Sequence, residues 1–178
     1  MTRAAMRSVR LRGLLTGGDR RSIGRVPAVL RIIRRQPRRV GELVTALSDV
    51  DAVVRMRAAD ALEKASAVHP ELLRPHVLTL LRLAGRAKQQ ELRWHLAQML
   101  PRLPLGVQQR RQAVKLLGAY LRDRSSIVRT FAMQALADIS LTYPAVRPAV
   151  LRRLRRLTAT GTPAMRARGR RLVAQLAD

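Results

Sequence analysis

The chain has no cysteine among its 178 residues. Disulfides, thiolate metal sites and cysteine nucleophiles are therefore excluded. Histidine occurs only at 69, 76 and 95, with no His-x-x-x-His spacing, so no metal site is expected. Aromatic residues are equally scarce: Trp94, Tyr120, Phe131 and Tyr143 are all there are. Few segments carry the β-branched and aromatic alternation that strands favour. No apolar run approaches the roughly 20 residues of a membrane span, and no secretory apolar core is present. Acidic residues number 11 against 36 basic ones, a formal charge of +25. No phosphate-cradling glycine loop or nucleophile–base pairing is found, and Ser125 and Ser126 read as helix caps. No cofactor is implied.

What is abundant is Leu, Ala, Val and Arg. Hydrophobic residues make up 47% of the chain, enough for a packed core. Arginine supplies 33 of the 36 basic residues, and the excess sits at the ends. Residues 1–40 hold 12 basic and one acidic residue, residues 41–140 hold 15 and nine, and residues 141–178 hold nine and one. GC-rich coding contributes to such a bias. A field of this sign also favours nucleic acid, anionic membrane or acidic protein as partner.

The chain repeats itself. Val54-Arg55-Met56-Arg57-Ala58-Ala59-Asp60-Ala61-Leu62 returns as Leu92 to Leu100 and as Val128 to Leu136, with a weaker copy from Met165 to Val173. The arginines at 55, 93, 129 and 166 are separated by 38, 36 and 37 residues. Within each copy the apolar positions fall at i, i+4, i+7, i+8 and i+11, one face of a helix. These are the second, or B, helices of helix pairs. The first, or A, helices are predicted over Pro37–Leu47, Glu71–Ala84, Val107–Leu121 and Ala145–Thr160, several of them opened by proline. A period of this length on helical sequence marks an α-solenoid.

Asp49 precedes Arg55 by six residues, Asp123 precedes Arg129 by six, and Asp19 precedes Arg25 by six. The last spacing suggests a degenerate fifth B helix from near Ser22 to Arg35. With its turn Asp, early Arg and small apolar run, the sequence resembles the HEAT and HEAT-like repeat family over residues 19–177. The resemblance implies an all-α, right-handed α-solenoid of about five helix pairs, the first incomplete. Residues 19–178 would form one repeat domain. Residues 1–18 read as a basic N-terminal arm or capping helix, although such an Arg-rich, acid-free stretch can imitate a transit peptide. The resemblance further implies that Asp19, Arg25, Asp49, Arg55, Asp123 and Arg129 form a structural ladder between repeats. Ala87 and Thr160 stand where Asp is expected, so there the ladder would be broken or water-filled. Arg93 and Arg166 would be freer, unless a neighbouring repeat's Asp claims them.

In HEAT-like stacks the B helices line the inner curve. Solvent-facing B positions, Arg57, Trp94, His95, Gln98, Arg102, Phe131 and Gln134 among them, are the expected concave binding face. Trp94 and Phe131 sit at near-equivalent heights on adjacent helices and mark either recognition or core. The strongest basic clusters are Arg31, Arg34, Arg35, Arg38 and Arg39, with Arg20 and Arg21, at one end. At the other are Arg152, Arg153, Arg155 and Arg156, then Arg166, Arg168, Arg170 and Arg171. The planar guanidinium fork suits phosphate.

The expectation is a non-catalytic scaffold, monomeric or part of a larger complex, placed in the cytoplasm. Its partner would be nucleic acid, DNA or RNA, or another polyanion such as a lipid headgroup. The competing expectation is an adaptor taking an acidic or helical protein segment on the B face. A minor branch is a HEAT-like alkylpurine DNA glycosylase, with Asp60 or Asp138 beside Trp94 and Phe131. Asp60 at i+3 from Arg57 also fits an ordinary helix ion pair.

Overall fold

A computed structural model describes residues 10–19 and 22–177. Every regular element among them is helical. The α-helices run Leu11–Leu15 (α1), Val26–Arg35 (α2), Val40–Ala46 (α3), Ala52–Val68 (α4), Val77–Arg86 (α5), Gln90–Met99 (α6), Val107–Tyr120 (α7), Ser126–Thr142 (α8), Arg147–Thr160 (α9) and Pro163–Ala177 (α10). Short 3-10 turns at Pro37–Arg39, Pro70–His76 and Pro144–Val146 lead into α3, α5 and α9. The prolines explain them. A residue without N–H can open a helix but cannot continue an α-helical ladder, so each A helix starts tightly wound. Among the described residues no helix is long and apolar enough to cross a membrane.

The chain divides into two compact units, with the division inside α5. One unit comprises residues 1–80 with 102–104, the other 81–101 with 105–178. In the first, α2 and α3 both pack on α4, and α1 packs against all three. Leu11, Leu14 and Leu15 of α1 are buried, so part of the basic N-terminal stretch contributes to the core. In the second, α6, α8 and α10 pack side by side in sequence order, while α7 covers α8 and α9 lies on α10. The apolar stripe of the repeat is the core here: Leu92, Leu96, Val128, Ala132, Leu136, Met165 and Leu172 are all buried. Alanine at 97, 132 and 135 lets neighbouring helix axes approach closely, which is the packing role of the small residues in each repeat.

Arg57 is the main departure from the expected B-helix surface. It is 2% exposed rather than solvent-facing. Its guanidinium enters the loop after α1 and donates to the carbonyls of Leu15 (3.1 Å), Thr16 (3.1 Å), Gly17, Asp19 (3.3 Å) and Ser22 (3.0 Å). Carbonyls converge on one point only if the backbone curls, and Gly17, Gly18 and Gly24 all adopt positive φ. At Gly24 (φ +52°) a Cβ would lie 2.7 Å from Arg57 Cζ. Asp60, expected as an ion-pair partner of Arg57, instead pairs with Lys64 at 2.7 Å.

Removing this guanidinium strands several acceptors at once. Arg57→Ala is expected to destabilise the protein by about 3 kcal/mol, and Arg57→Lys by nearly as much, because an ammonium group cannot span the cradle. Gly24→Ala should lower stability by about 2 kcal/mol through backbone strain and displacement of Arg57. Urea denaturation of the three variants checks this. Wild-type midpoints would mean the loop does not depend on Arg57.

Candidate polyanion-binding surface

The repeat arginines come first, because they decide which charges remain available. Arg55 donates to the backbone carbonyls of Asp49 (2.7 Å) and Val50 (3.0 Å), six and five residues earlier. Arg93 makes the same bond to the Ala87 carbonyl at 2.6 Å. The acceptor at the i−6 position is thus main chain, which any residue supplies. Arg93 thus makes this main-chain bond with Ala87 at the position where Asp49 stands before Arg55. The guanidinium closes the carbonyl end of the preceding A helix, where the helix dipole is negative.

The turn aspartates do a different job. Asp49 Oδ1 accepts from the Asp51 N–H at 2.9 Å, and Asp123 Oδ1 from the Ser125 N–H at 2.8 Å. Asp51 and Ser125 then accept from Val53 and Val128 N–H groups as N-caps of α4 and α8. The second oxygen of Asp49 accepts from Arg12 Nε at 2.6 Å, and that of Asp123 from Arg93. Each pair joins Asp to an arginine of an earlier segment rather than to its own Arg55 or Arg129. Arg129 keeps a buried Nε without an acceptor. Arg25 is exposed at the start of α2, and among the described residues its side chain forms no pair with Asp19. Beneath Arg93, the Tyr120 hydroxyl donates to the Ala84 carbonyl at 2.7 Å, and Arg93 lies 5.6 Å from its ring centroid. Burial pushes the Tyr120 hydroxyl well above its ordinary ionisation range.

Most of the B-helix set is committed inside the protein. Arg57 is buried, as described, and so is His95, at 8% exposure, which corrects the expectation that both face solvent. Arg102 donates to Glu63 Oε1 (2.7 Å), the Glu63 carbonyl (2.9 Å) and Ser66 Oγ (3.2 Å), tying the segment after α6 to α4. Gln134 donates to Asp138 at 2.8 Å and accepts from Arg168 at 2.8 Å, bridging α8 and α10. Gln98 donates to the Trp94 carbonyl of its own helix. Trp94 and Phe131 are half-buried, and the Trp94 ring tilts at 55° against His95. These positions are divided between the two units: Arg57 and Arg102 in the first, the rest in the second.

The N-terminal cluster is mixed. Arg31, Arg34, Arg35 and Arg38 are exposed on α2 and the turn that follows. Arg39 is engaged by both oxygens of Glu42, at 2.6 and 3.0 Å, and that hydrogen bonding holds the Glu42 carboxyl below its ordinary range. Arg20 and Arg21 lie outside the described residues.

The C-terminal cluster is different. Arg152, Arg153, Arg155 and Arg156 on α9, and Arg166, Arg170 and Arg171 on α10, are exposed. No acidic residue occurs between 139 and 177. Ala149, Arg152, Arg153 and Arg156, at i, i+3, i+4 and i+7, line a shallow hollow of about 330 Å³ on one face of α9. On the other side Arg155 and Arg170 meet across a groove of about 430 Å³ floored by Ala159, Val173, Ala174 and Ala177. The second unit carries 19 basic residues against four acidic ones. Of those acids, Glu91 is buried, Asp123 is paired with Arg93, and Asp138 is bonded to Gln134.

The sequence reading passed over three cations of α7 and its following turn. Arg111, Lys115 and Arg122 are exposed and share a stripe with Gly118, at i, i+4, i+7 and i+11. A Cβ at Gly118 would lie 2.9 Å from Arg153 Nη1, so the α9 guanidinium fills the position that Gly118 leaves open. The i+4 spacing was visible in the sequence, but the neighbour that completes the row was not. No family model, curated protein or solved structure matches this chain. The HEAT-like resemblance therefore rests on the repeat residues themselves.

Hydrogen bonding from Arg12, then from the Asp51 N–H, holds the Asp49 carboxyl below its ordinary pKa of 3.8. A carboxyl with a depressed folded-state value stabilises the fold above its unfolded value, and that contribution disappears as pH falls through the folded one. Asp49→Asn should therefore melt below wild type at pH 7, with the two melting curves converging on acidification below pH 3.8. Thermal melts across that range check this, and a gap unchanged at pH 2 would assign the effect to the turn rather than to the charge.

Proposed function

We propose that the chain is a non-catalytic HEAT-like repeat module, about five stacked helix pairs with the first incomplete, that binds nucleic acid through arginine clusters. The 36–38-residue period and the side-by-side packing of α6, α8 and α10 within the second unit support the repeat architecture. The binding assignment is carried by one observation: the exposed guanidiniums of α9 and α10 have no acidic counterpart in the surrounding sequence.

That arrangement has a cost. Arg152–Arg156 at i,i+4, and Arg152–Arg155 and Arg153–Arg156 at i,i+3, are like-charge pairs, each destabilising an exposed helix by about 0.2–0.5 kcal/mol. A polyanion reverses the sign of the interaction. Phosphates accept two parallel bonds from each guanidinium and release condensed counterions on binding. The structural arginines, Arg55, Arg57, Arg93 and Arg102, are not part of this surface, since their donors are already taken by the protein.

Binding of the nuclease-treated protein to a labelled 20-base-pair duplex tests this. Affinity should fall log-linearly with log salt. Arg152→Ala/Arg153→Ala/Arg155→Ala/Arg156→Ala should weaken it at least tenfold, similarly for unrelated sequences, while the melting temperature rises slightly as the like-charge pairs are removed. An absence of binding at low salt would remove the assignment.

A further inference from the structure

The row on α7 and the hollow on α9 specify more than a polyanion. We infer that the second unit binds double-stranded nucleic acid by its phosphate backbone and discriminates against single strands; this rests on the nucleic-acid assignment above.

Two independent observations lead there. First, the basic residues form a continuous row fixed on helices. Arg111, Lys115 and Arg122 lie on one stripe of α7 and the turn beyond it, and Arg153 of α9 occupies the Gly118 position between Lys115 and Arg122. From residue 111 to residue 122 the helical rise is about 16 Å. Phosphates of a duplex strand rise along its axis and turn about it, so a straight row of this length meets about two or three of them on one strand, held at fixed spacing by the stiffness of the duplex. Arg152 and Arg156 flank the same face through the α9 hollow. A row held by helical backbone suits a target that is itself stiff. A flexible strand must give up conformational freedom to follow it.

Second, the stacking platforms that single strands need are absent. Proteins that take unpaired nucleic acid seat bases on aromatic rings, each worth about 1–3 kcal/mol. None of the four aromatic residues is exposed. Tyr120 is buried under Arg93, Tyr143 is covered by Arg110 at 5.3 Å from its centroid, and Trp94 and Phe131 are half-buried on α6 and α8. The cations are thus presented without any ring to hold a base.

The test compares a 20-base-pair DNA duplex, an RNA duplex of the same sequence and their separated strands, all against the full chain at about 100 mM salt. At least one duplex should bind tenfold or more tighter than either of its strands, and the tighter of the two identifies the helix form preferred. The duplex log–log salt slope should be about −5, one phosphate for each of Arg111, Lys115, Arg122, Arg152, Arg153 and Arg156. Arg111→Ala/Lys115→Ala/Arg122→Ala should reduce the slope magnitude by about 3 and the affinity at least tenfold. Arg31→Ala/Arg34→Ala/Arg38→Ala, an equal loss of charge in the other unit, should have a much smaller effect. Strands bound as tightly as duplex would overturn this inference and leave the nucleic-acid assignment standing. An equal effect from both triple variants would overturn the row on α7. No binding of any form would remove both.

Discussion

Main-chain carbonyl oxygens bound by arginine hold the A and B helices of this protein in place. Arg55 and Arg93 close the turn ahead of their own helix, Arg57 gathers the loop after α1, and Arg102 fixes the segment after α6 to the α4 backbone. A carbonyl at a helix end has no partner within its helix, and a guanidinium offers five donors in one plane. One side chain can therefore satisfy an entire turn. The arrangement needs no particular residue at the acceptor position, which is why Ala87 serves as well as Asp49.

This divides the positive charge into two populations with different physics. Guanidiniums paired with carboxylates such as Asp49, Asp123, Glu42 and Glu63 are neutralised locally, and those bound to carbonyls keep their charge but have donors occupied by the protein; both shape the fold. The exposed ones on α9, α10 and the outer stripe of α7 have no such partner among the described residues and raise the potential of the surface they share. A net charge of +25 overstates the field at the committed arginines and describes it poorly at the rest.

Much of the architecture was legible because it is periodic. Val54, Leu92 and Val128 recur on one face, and each lies in the first turn of an observed helix, Ala52–Val68, Gln90–Met99 and Ser126–Thr142. The A helices were found too, except that the segments opened by Pro37, Pro70 and Pro144 are wound as 3-10 rather than α. What escaped the sequence were bonds between non-periodic positions. Arg57 occupies an outward slot of the repeat pattern, yet it turns inward because a loop 35–42 residues earlier, bent by three glycines, offers it carbonyls. Arg93 is a different case: the alternative that a neighbouring repeat's Asp claims it is the arrangement observed, with Asp123 as the partner. The Arg153–Gly118 approach leaves no trace in either segment alone.

The Arg57 cradle also sets an order on synthesis. The carbonyls that form it, on Leu15, Thr16, Gly17, Asp19 and Ser22, leave the ribosome some 35–42 residues before the guanidinium that organises them. Until α4 is made and packed, those carbonyls can be satisfied only by water, and the left-handed glycines hold a bend with nothing inside it. The first unit therefore cannot settle from its N-terminus inward as the chain emerges. Its opening segment is completed by a residue that arrives late, so the core around its early leucines is closed only when α4 packs on them.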